Sequence, residues 1–582
     1  MSGVASMPPA IWLIAAGLLV AVMRGRARSA VLLIAPLVTL YAVWQVPDGV
    51  VLSGRFMDYP VVPVEGNPLS RLFATIFTIM AFGGGLFALN QKNHTELAAA
   101  FVYGGSAVGV AFAGDLITVF VFWELMAVGS TIVVWCGQDD ARRAGLRYAA
   151  IHLLGGVILM AGVAGEINAT GSTAFTAMQP DSLSRWLILA GFLINAGAPP
   201  LAAWLPDAYP EASWSGMVFL SAFTTKTAVY VLLRGFPGTE LLIYIGLFMV
   251  FYGIIYAILE NDMRRILAYS IVNQVGFMIC AIGVGTAGVG NALALNGAAA
   301  HAFCHIIYKG LLFMSMGAVL YRTGTTKASE LGGLYKSMPW TTIFCIIGAM
   351  SISAFPLFSG FAAKSLTMSA VGKEGLTVVW LMLLFASAGV LEHSGIKIPY
   401  FAFFGHDSGK RVKEAPFNML LAMGLAAFIC IAVGVPAIVP GLGYEWLYNL
   451  LPYREEAMAY QPFTLDHVLT QMQLLVLAIF AFVMLKRLGW YPPEKPGVVL
   501  DSDWVYRKGG YGLVTWSGTV WKKAGPAMSA IFFRLAGRAY DRIEATFSPR
   551  GELARGGLNT GMATWTAILL GFVLLLSFIT AG

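Results

Sequence analysis

Stretches of about 20 apolar residues recur along nearly the whole chain, each the length that carries an α-helix across a hydrocarbon core. That recurrence dictates the fold class. Inside a bilayer every backbone N–H and C=O needs a partner within the protein, so only helices or closed barrels cross it. The short alternating segments of a barrel are not seen. Of the 582 residues, 58% are hydrophobic and only 12% charged, against roughly one-quarter charged in soluble domains. The sequence therefore predicts an all-α, polytopic integral membrane protein.

Candidate spans lie near 11–23, 30–46, 70–90, 96–113, 115–135, 146–166, 185–204, 213–234, 239–259, 266–285, 291–320, 339–373, 377–405, 416–440, 469–487 and 562–580. They give about 14–16 transmembrane helices. Two should break partway: the seventh contains GAPP (197–200), and the twelfth, too long for one pass, contains AFPLFSGF (354–361). The breaks lie five spans apart. An odd spacing inverts the second unit relative to the first, so spans 4–8 and 9–13 read as two inverted five-helix repeats with broken helices. The expected organisation is N-terminal helices over 1–95, repeats over 96–234 and 239–405, C-terminal helices over 406–487, a lateral amphipathic segment over 488–561 and a final helix over 562–582.

Charge sets the expected orientation. RGRAR (24–28), ARRAGLR (141–147), DMRR (262–265) and GKRVK (409–413) all follow odd-numbered spans, whereas loops after even-numbered spans, such as 48–66, are acidic or neutral. The positive-inside rule puts the first set in the cytoplasm and both termini outside, in the cell inner (plasma) membrane. The net charge of +7 resides in short loops and one late segment, which fits a membrane surface rather than nucleic acid. The first apolar run is followed, not preceded, by basic residues, unlike a cleavable signal peptide. Residues 488–550 mix aromatic, aliphatic and basic positions, as interfacial helices along the cytoplasmic face or a basic solvated linker would. Five cysteines without a CxxC pair indicate neither a disulfide framework nor a metal cluster.

Ionisable side chains inside the spans carry the functional information, because each costs at least ~2.5 kcal/mol at mid-depth. They are Glu124, Lys226, the trio His301, His305 and Lys309, then Lys364, Glu392, His393 and Lys397. Spacing by four drifts only ~40° per step on a helix, so the trio forms one stripe. Glu124 could instead neutralise Lys226 in a static pair, and a lone core histidine could simply donate to a carbonyl. Lys397, near a span end, is expected to snorkel. The i, i+4 histidines lack an HExxH glutamate, so no metal is expected. A row of groups with differently perturbed proton affinities suits stepwise proton movement, and helix breaks supply hydrated ends where half-channels form.

FVFWELMAVGS, AGAPPLAAWLPDAY, SAFTTKTAVYVLLR, DMRRILAYSIVNQVGFM, HAFCHIIYKGLLFMSMG and FPLFSGFAAKSL follow one another in that order. Over roughly residues 70–405 they resemble the antiporter-like proton-translocating subunits of complex I, membrane-bound hydrogenases and Mrp-type cation/proton antiporters, with the D component of the Mrp type nearest. The resemblance implies that Glu124 is the fifth-span glutamate, Lys226 the eighth-span lysine, His301, His305 and Lys309 the central relay, and Lys364 the twelfth-span lysine near the exit. Relatives usually carry a seventh-span lysine that pairs with the glutamate; here Asn195 stands in its place, and Ala202 stands near a missing histidine. Glu392 and His393 add groups in the thirteenth span.

The expected function is a proton-conducting subunit of a larger membrane assembly, with sodium coupling left open. Protons would reach Lys226 from the cytoplasm, pass along Lys309 and its histidines, and leave under the control of Lys364 and Glu392. The alternatives are a non-pumping scaffold, for which Asn195 is the main argument, and the membrane subunit of a bicarbonate-accumulating system. No flavin, quinone or iron–sulfur motif is visible, so no cofactor is expected, and any oxidoreductase activity would belong to the complex.

Overall fold

The computed structural model describes residues 7–138, 140–286, 292–437, 441–491, 494–495, 497, 499–548 and 565–574. They form two compact units, residues 1–503 and 504–582. Among the described residues, 11 helices are long and apolar enough to cross a membrane. Shorter apolar helices at Ala10–Val22, Leu183–Ala196, Pro339–Ile352, Phe417–Ala432 and Trp565–Leu574 fill the remaining expected span positions.

Both expected interruptions are present. In the seventh span, Leu183–Ala196 stops at Gly197, whose φ of 79° only a glycine adopts freely, and helix resumes at Trp204–Ala208. In the twelfth, Pro339–Ile352 gives way to Ser359–Lys373, with Ala354 and Leu357 at positive φ between them. Two further irregularities escape the sequence reading. The eighth span breaks at Phe223 into Gly216–Ala222 and Thr224–Gly235, and the thirteenth widens into π-helical turns at Leu391–Ile396 and Tyr400–Phe404. Neither is announced by a Pro-Pro or Gly-Pro step. Serine and threonine hydroxyls around Phe223 offer the backbone local alternatives to helix, and π turns often mark functional sites.

Loop contacts sort the chain into two rims. After odd-numbered spans, Gln138 donates its backbone N–H to Glu211 O (2.9 Å), Arg322 reaches Glu414 O (2.6 Å), and Asp262 bridges Lys327. After even-numbered spans, Gly114 donates to Val62 O (2.8 Å), Phe175 to Gly114 O (3.0 Å) and Met178 to Gly235 O (2.7 Å). The alternation inferred from charge thus shows as two separate sets of touching loops. On the even rim, residues 48–66 fold as a hairpin, β1 Gly49–Phe56 and β2 Tyr59–Gly66, an exception to the all-helical expectation. Valines cluster in both strands and suit the pleated surface. The hairpin is anchored by Val62 N–H on Asp115 (2.7 Å) and by an Arg234–Glu65 ion pair (2.7 Å).

The ninth and tenth spans pack backbone to backbone: a Cβ on Gly246 would meet Gly276 O and Cys280 N at 2.5 Å. This holds Met263–Val284, every described turn of it buried, beside the long eleventh span Ala292–Thr323. The second unit contains a continuous helix Tyr511–Phe547, preceded by a π turn and carrying Pro526 inside it. Its 37 residues make it about 55 Å long.

Candidate functional site

An interrupted helix leaves carbonyls without intrahelical donors and concentrates the negative end of its dipole there. In this chain buried lysines occupy such ends. Lys226 Nζ donates to Ser221 O at 2.6 Å, across the break in the eighth span. Lys364 Nζ donates to Ile352 O at 2.8 Å, across the break in the twelfth, and lies 5.8 Å from the centre of the Phe277 ring. Both side chains are almost fully buried. The seventh-span break is capped differently, without a charge: the Trp204 indole N–H donates to Ile194 O at 3.0 Å.

Between the two lysines lies the stripe of the eleventh span. His301, His305 and Lys309 are all fully buried on one continuous helix. His301 Nε2 lies 3.1 Å from Gln274 Oε1 and 3.0 Å from the Tyr308 hydroxyl, which also faces Gln274 (3.3 Å). Lys309 Nζ donates to Ser270 Oγ at 2.7 Å, and Ser394 Oγ reaches the same oxygen at 2.9 Å, so three spans share one polar contact. His305 has no hydrogen-bond partner on either ring nitrogen, yet it sits within electrostatic reach of Lys226, Lys309 and Lys364. A buried imidazole without partners can exchange a proton with a neighbouring amine or a water.

Glu124 does not pair with Lys226, whose amine is engaged at Ser221 O. The half-buried Glu124 lies instead against the sixth span, where a Cβ on Gly156 would collide with its Oε1. Asn195 Oδ1 lies over the adjacent Gly155, 3.5 Å from where a Cβ would be. One turn away, His152 is fully buried between Tyr148 and Trp204, with ring centroids at 4.1 and 4.6 Å. Glu124, His152 and Asn195 thus converge on one turn of the sixth span. His152 was missed in the sequence, although a histidine in the apolar run YAAIHLLGG is a visible signal.

The thirteenth span departs from expectation. Glu392 accepts from the Tyr491 hydroxyl at 2.7 Å, in the segment after the fifteenth span. The buried His393 places Nδ1 2.6 Å from Gly389 O, with Lys309, Lys364 and Lys397 as charged neighbours. Lys397 does not snorkel. Its side chain is 1% exposed, donates to Ile258 O (2.6 Å) and Glu260 O (2.7 Å) at the end of the ninth span, and pairs with Glu494 at 3.3 Å. The 400–404 π turn follows Pro399, which carries no N–H for a helical bond. Burial pushes the Glu494 carboxyl upward, and Lys397 beside it pulls the other way.

Interrupted spans, helix ends seated on buried lysines and a histidine–lysine core between them define a class: the antiporter-like membrane subunits of respiratory and cation-transporting complexes. The chain belongs to the NADH:quinone oxidoreductase/Mrp antiporter transmembrane family, whose profile matches residues 113–391. It is 31% identical to the D component of the Na+/H+ antiporter of Alkalihalophilus pseudofirmus over 396 residues, 62% of this chain and 75% of that protein. It is 28% identical to hydrogenase-4 component B of Escherichia coli K12 over 440 residues, 68% of this chain and 66% of the relative, just under two thirds of its length. The fold matches a subunit of the membrane-bound sulfane sulfur reductase, an archaeal respiratory membrane complex, with a TM-score of 0.67 at 21% identity, over 98% of this chain and 99% of that one. The antiporter component and the reductase chain are, by their descriptions, parts of larger complexes, and this chain is a multi-pass membrane protein of the same family.

Proposed function

We propose that the chain conducts protons along Lys226, His305, Lys309 and Lys364 as a subunit of an Mrp-type antiporter or complex I-like assembly. The observation that carries this reading is His305: fully buried, unpartnered at both nitrogens and within electrostatic reach of all three lysines. A proton added at one of these sites shifts the affinity of the next, because charges interact strongly where water is scarce. Glu124, His301, Glu392 and His393 flank the line, and the segments 96–234 and 239–405 act as its two inverted halves. Protons are the primary ion, and sodium is the candidate counter-ion on the example of the similar Na+/H+ antiporter component. The odd rim faces the cytoplasm and both termini lie outside, in the plasma membrane.

A second reading, a non-pumping scaffold, draws on the first half: Asn195 replaces the family lysine, and the seventh-span break is closed by the neutral Trp204. Proton flux into vesicles holding the purified complex separates the two. Lys309→Ala abolishes flux if the chain conducts; near-full flux in that variant rules conduction through the line out.

A further inference from the structure

Two cavities meet at a histidine that the line above does not use. The inner one, about 270 Å³, reaches Lys364 and is bordered by Phe277, Trp380, Asp466 and Gln471. The outer one, about 530 Å³, is bordered by the exposed Lys373, Glu374 and Glu456 and by Gln461. Both have room for ordered water and polar groups to hold it. Ser369 and His467 line both. These two side chains touch, with His467 Nε2 3.2 Å from Ser369 Oγ. The Tyr460 hydroxyl completes the group, 2.8 Å from Ser369 Oγ and 3.4 Å from His467 Nδ1, and the Pro462 carbonyl lies 3.3 Å from the same nitrogen.

The partition lies along the path out of the bundle. Ser369 follows Lys364 by five residues on Ser359–Lys373, a rise of about 7.5 Å. His467 sits in the first turn of Leu465–Arg487. The outer cavity is framed by Leu293, at the start of the eleventh span, and by Glu374 and Glu456, which follow the twelfth and fourteenth spans, so it opens on the even rim. Lys397 and Glu494 lie toward the odd rim.

We propose that His467, held by Ser369 and Tyr460, is the gate through which protons pass between the Lys364 cavity and the even-rim face. The inference rests on the proton-conducting reading. Imidazole suits the task because one ring nitrogen accepts a proton while the other donates one. A proton arriving at Nε2 from the inner cavity makes the imidazolium; the Nδ1 proton then leaves to the outer cavity, and return of the ring to its starting tautomer resets the gate with no net change. The charged groups facing the imidazole are Lys364 and Asp466 on the inner side and Lys373, Glu374 and Glu456 on the outer.

The test uses the whole complex in vesicles. His467→Gln retains a polar side chain able to hydrogen-bond Ser369 but cannot relay a proton through a ring, and it lowers proton flux at least about tenfold. Unchanged flux in that variant overturns the gate while leaving the conducting reading intact, whereas no flux in the unmodified complex overturns the reading itself. Accessibility is measured separately, against the background of the chain's own cysteines, with a membrane-impermeant thiol reagent applied to the even rim. Met368→Cys, on the inner cavity, reacts slowly with His467 present and about tenfold faster with His467→Gly, while Lys373→Cys reacts fast in both. Equal labelling of Met368→Cys in the two backgrounds means that no partition exists and overturns the proposal.

Discussion

Lys309 donates to the hydroxyl of Ser270 at 2.7 Å, and that hydroxyl is also reached by Ser394 from the thirteenth span. The central amine is therefore held by a side-chain hydroxyl, whereas Lys226 and Lys364 rest on helix-end carbonyls. Ser270→Ala removes the hydroxyl that accepts from this amine. Proton flux should fall several-fold with assembly intact, a smaller loss than for Lys309→Ala, and a stopped-flow pH-dye assay on vesicles measures both. Equal flux in Ser270→Ala and the unmodified complex would show that the contact plays no part in the relay.

The helix-end lysines predict a split between charge and shape. Lys364→Met keeps the volume but leaves the Ile352 carbonyl and its dipole unmatched, so flux is lost and the purified subunit also melts earlier. An unmatched buried polar group costs about 1–3 kcal/mol. Lys364→Arg retains a donor but not a readily released proton, so stability is largely kept while flux stays low. Thermal unfolding and flux, measured on both variants, check the two halves of this statement.

Gly156 is required by the approach of Glu124. A Cβ there would overlap Glu124 Oε1, so Gly156→Ala pushes the carboxylate off the sixth span. If Glu124 works from that seat, Gly156→Ala and Glu124→Gln each reduce flux, and the double variant is no worse than the more damaging single one. Additive losses would mean that the glycine matters for packing alone. His152→Leu, on the same face, should behave as a member of this group in the same cycle.

Lys397 and Glu494 tie the segment after the fifteenth span to the end of the ninth. Removing one partner of a buried pair costs about 3–5 kcal/mol, because the other is left without compensation. Lys397→Met should therefore release residues 488–503 to limited proteolysis, and Lys397→Met with Glu494→Gln should restore part of the protection. Proteolysis that is unchanged in Lys397→Met would refute the tether.

Span positions, two breaks and the buried ionisable groups were legible because a bilayer makes apolar length and stray charge conspicuous. Loop charge likewise foretold the two rims. The break at Phe223 was not legible, since nothing in SAFTTKT forbids helix and tertiary packing decides it. Lys397 was misjudged because nearness to a span end looks like access to water, whereas the ninth-span carbonyls and Glu494 enclose it. The position of Glu392 depended on Tyr491, a contact across 99 residues that no local pattern encodes. His152 and His467 are single histidines in the sequence, and only their neighbours in space give them meaning.

The union of helix break and lysine constrains how such a chain can change. A descendant that lost Lys226 while keeping the interruption at Phe223 would strand an uncapped helix end in oil. Becoming an inert anchor thus takes linked substitutions, one erasing the charge and another supplying a neutral donor or healing the helix. At the seventh-span break a neutral donor already sits on the helix end, the Trp204 indole on Ile194 O.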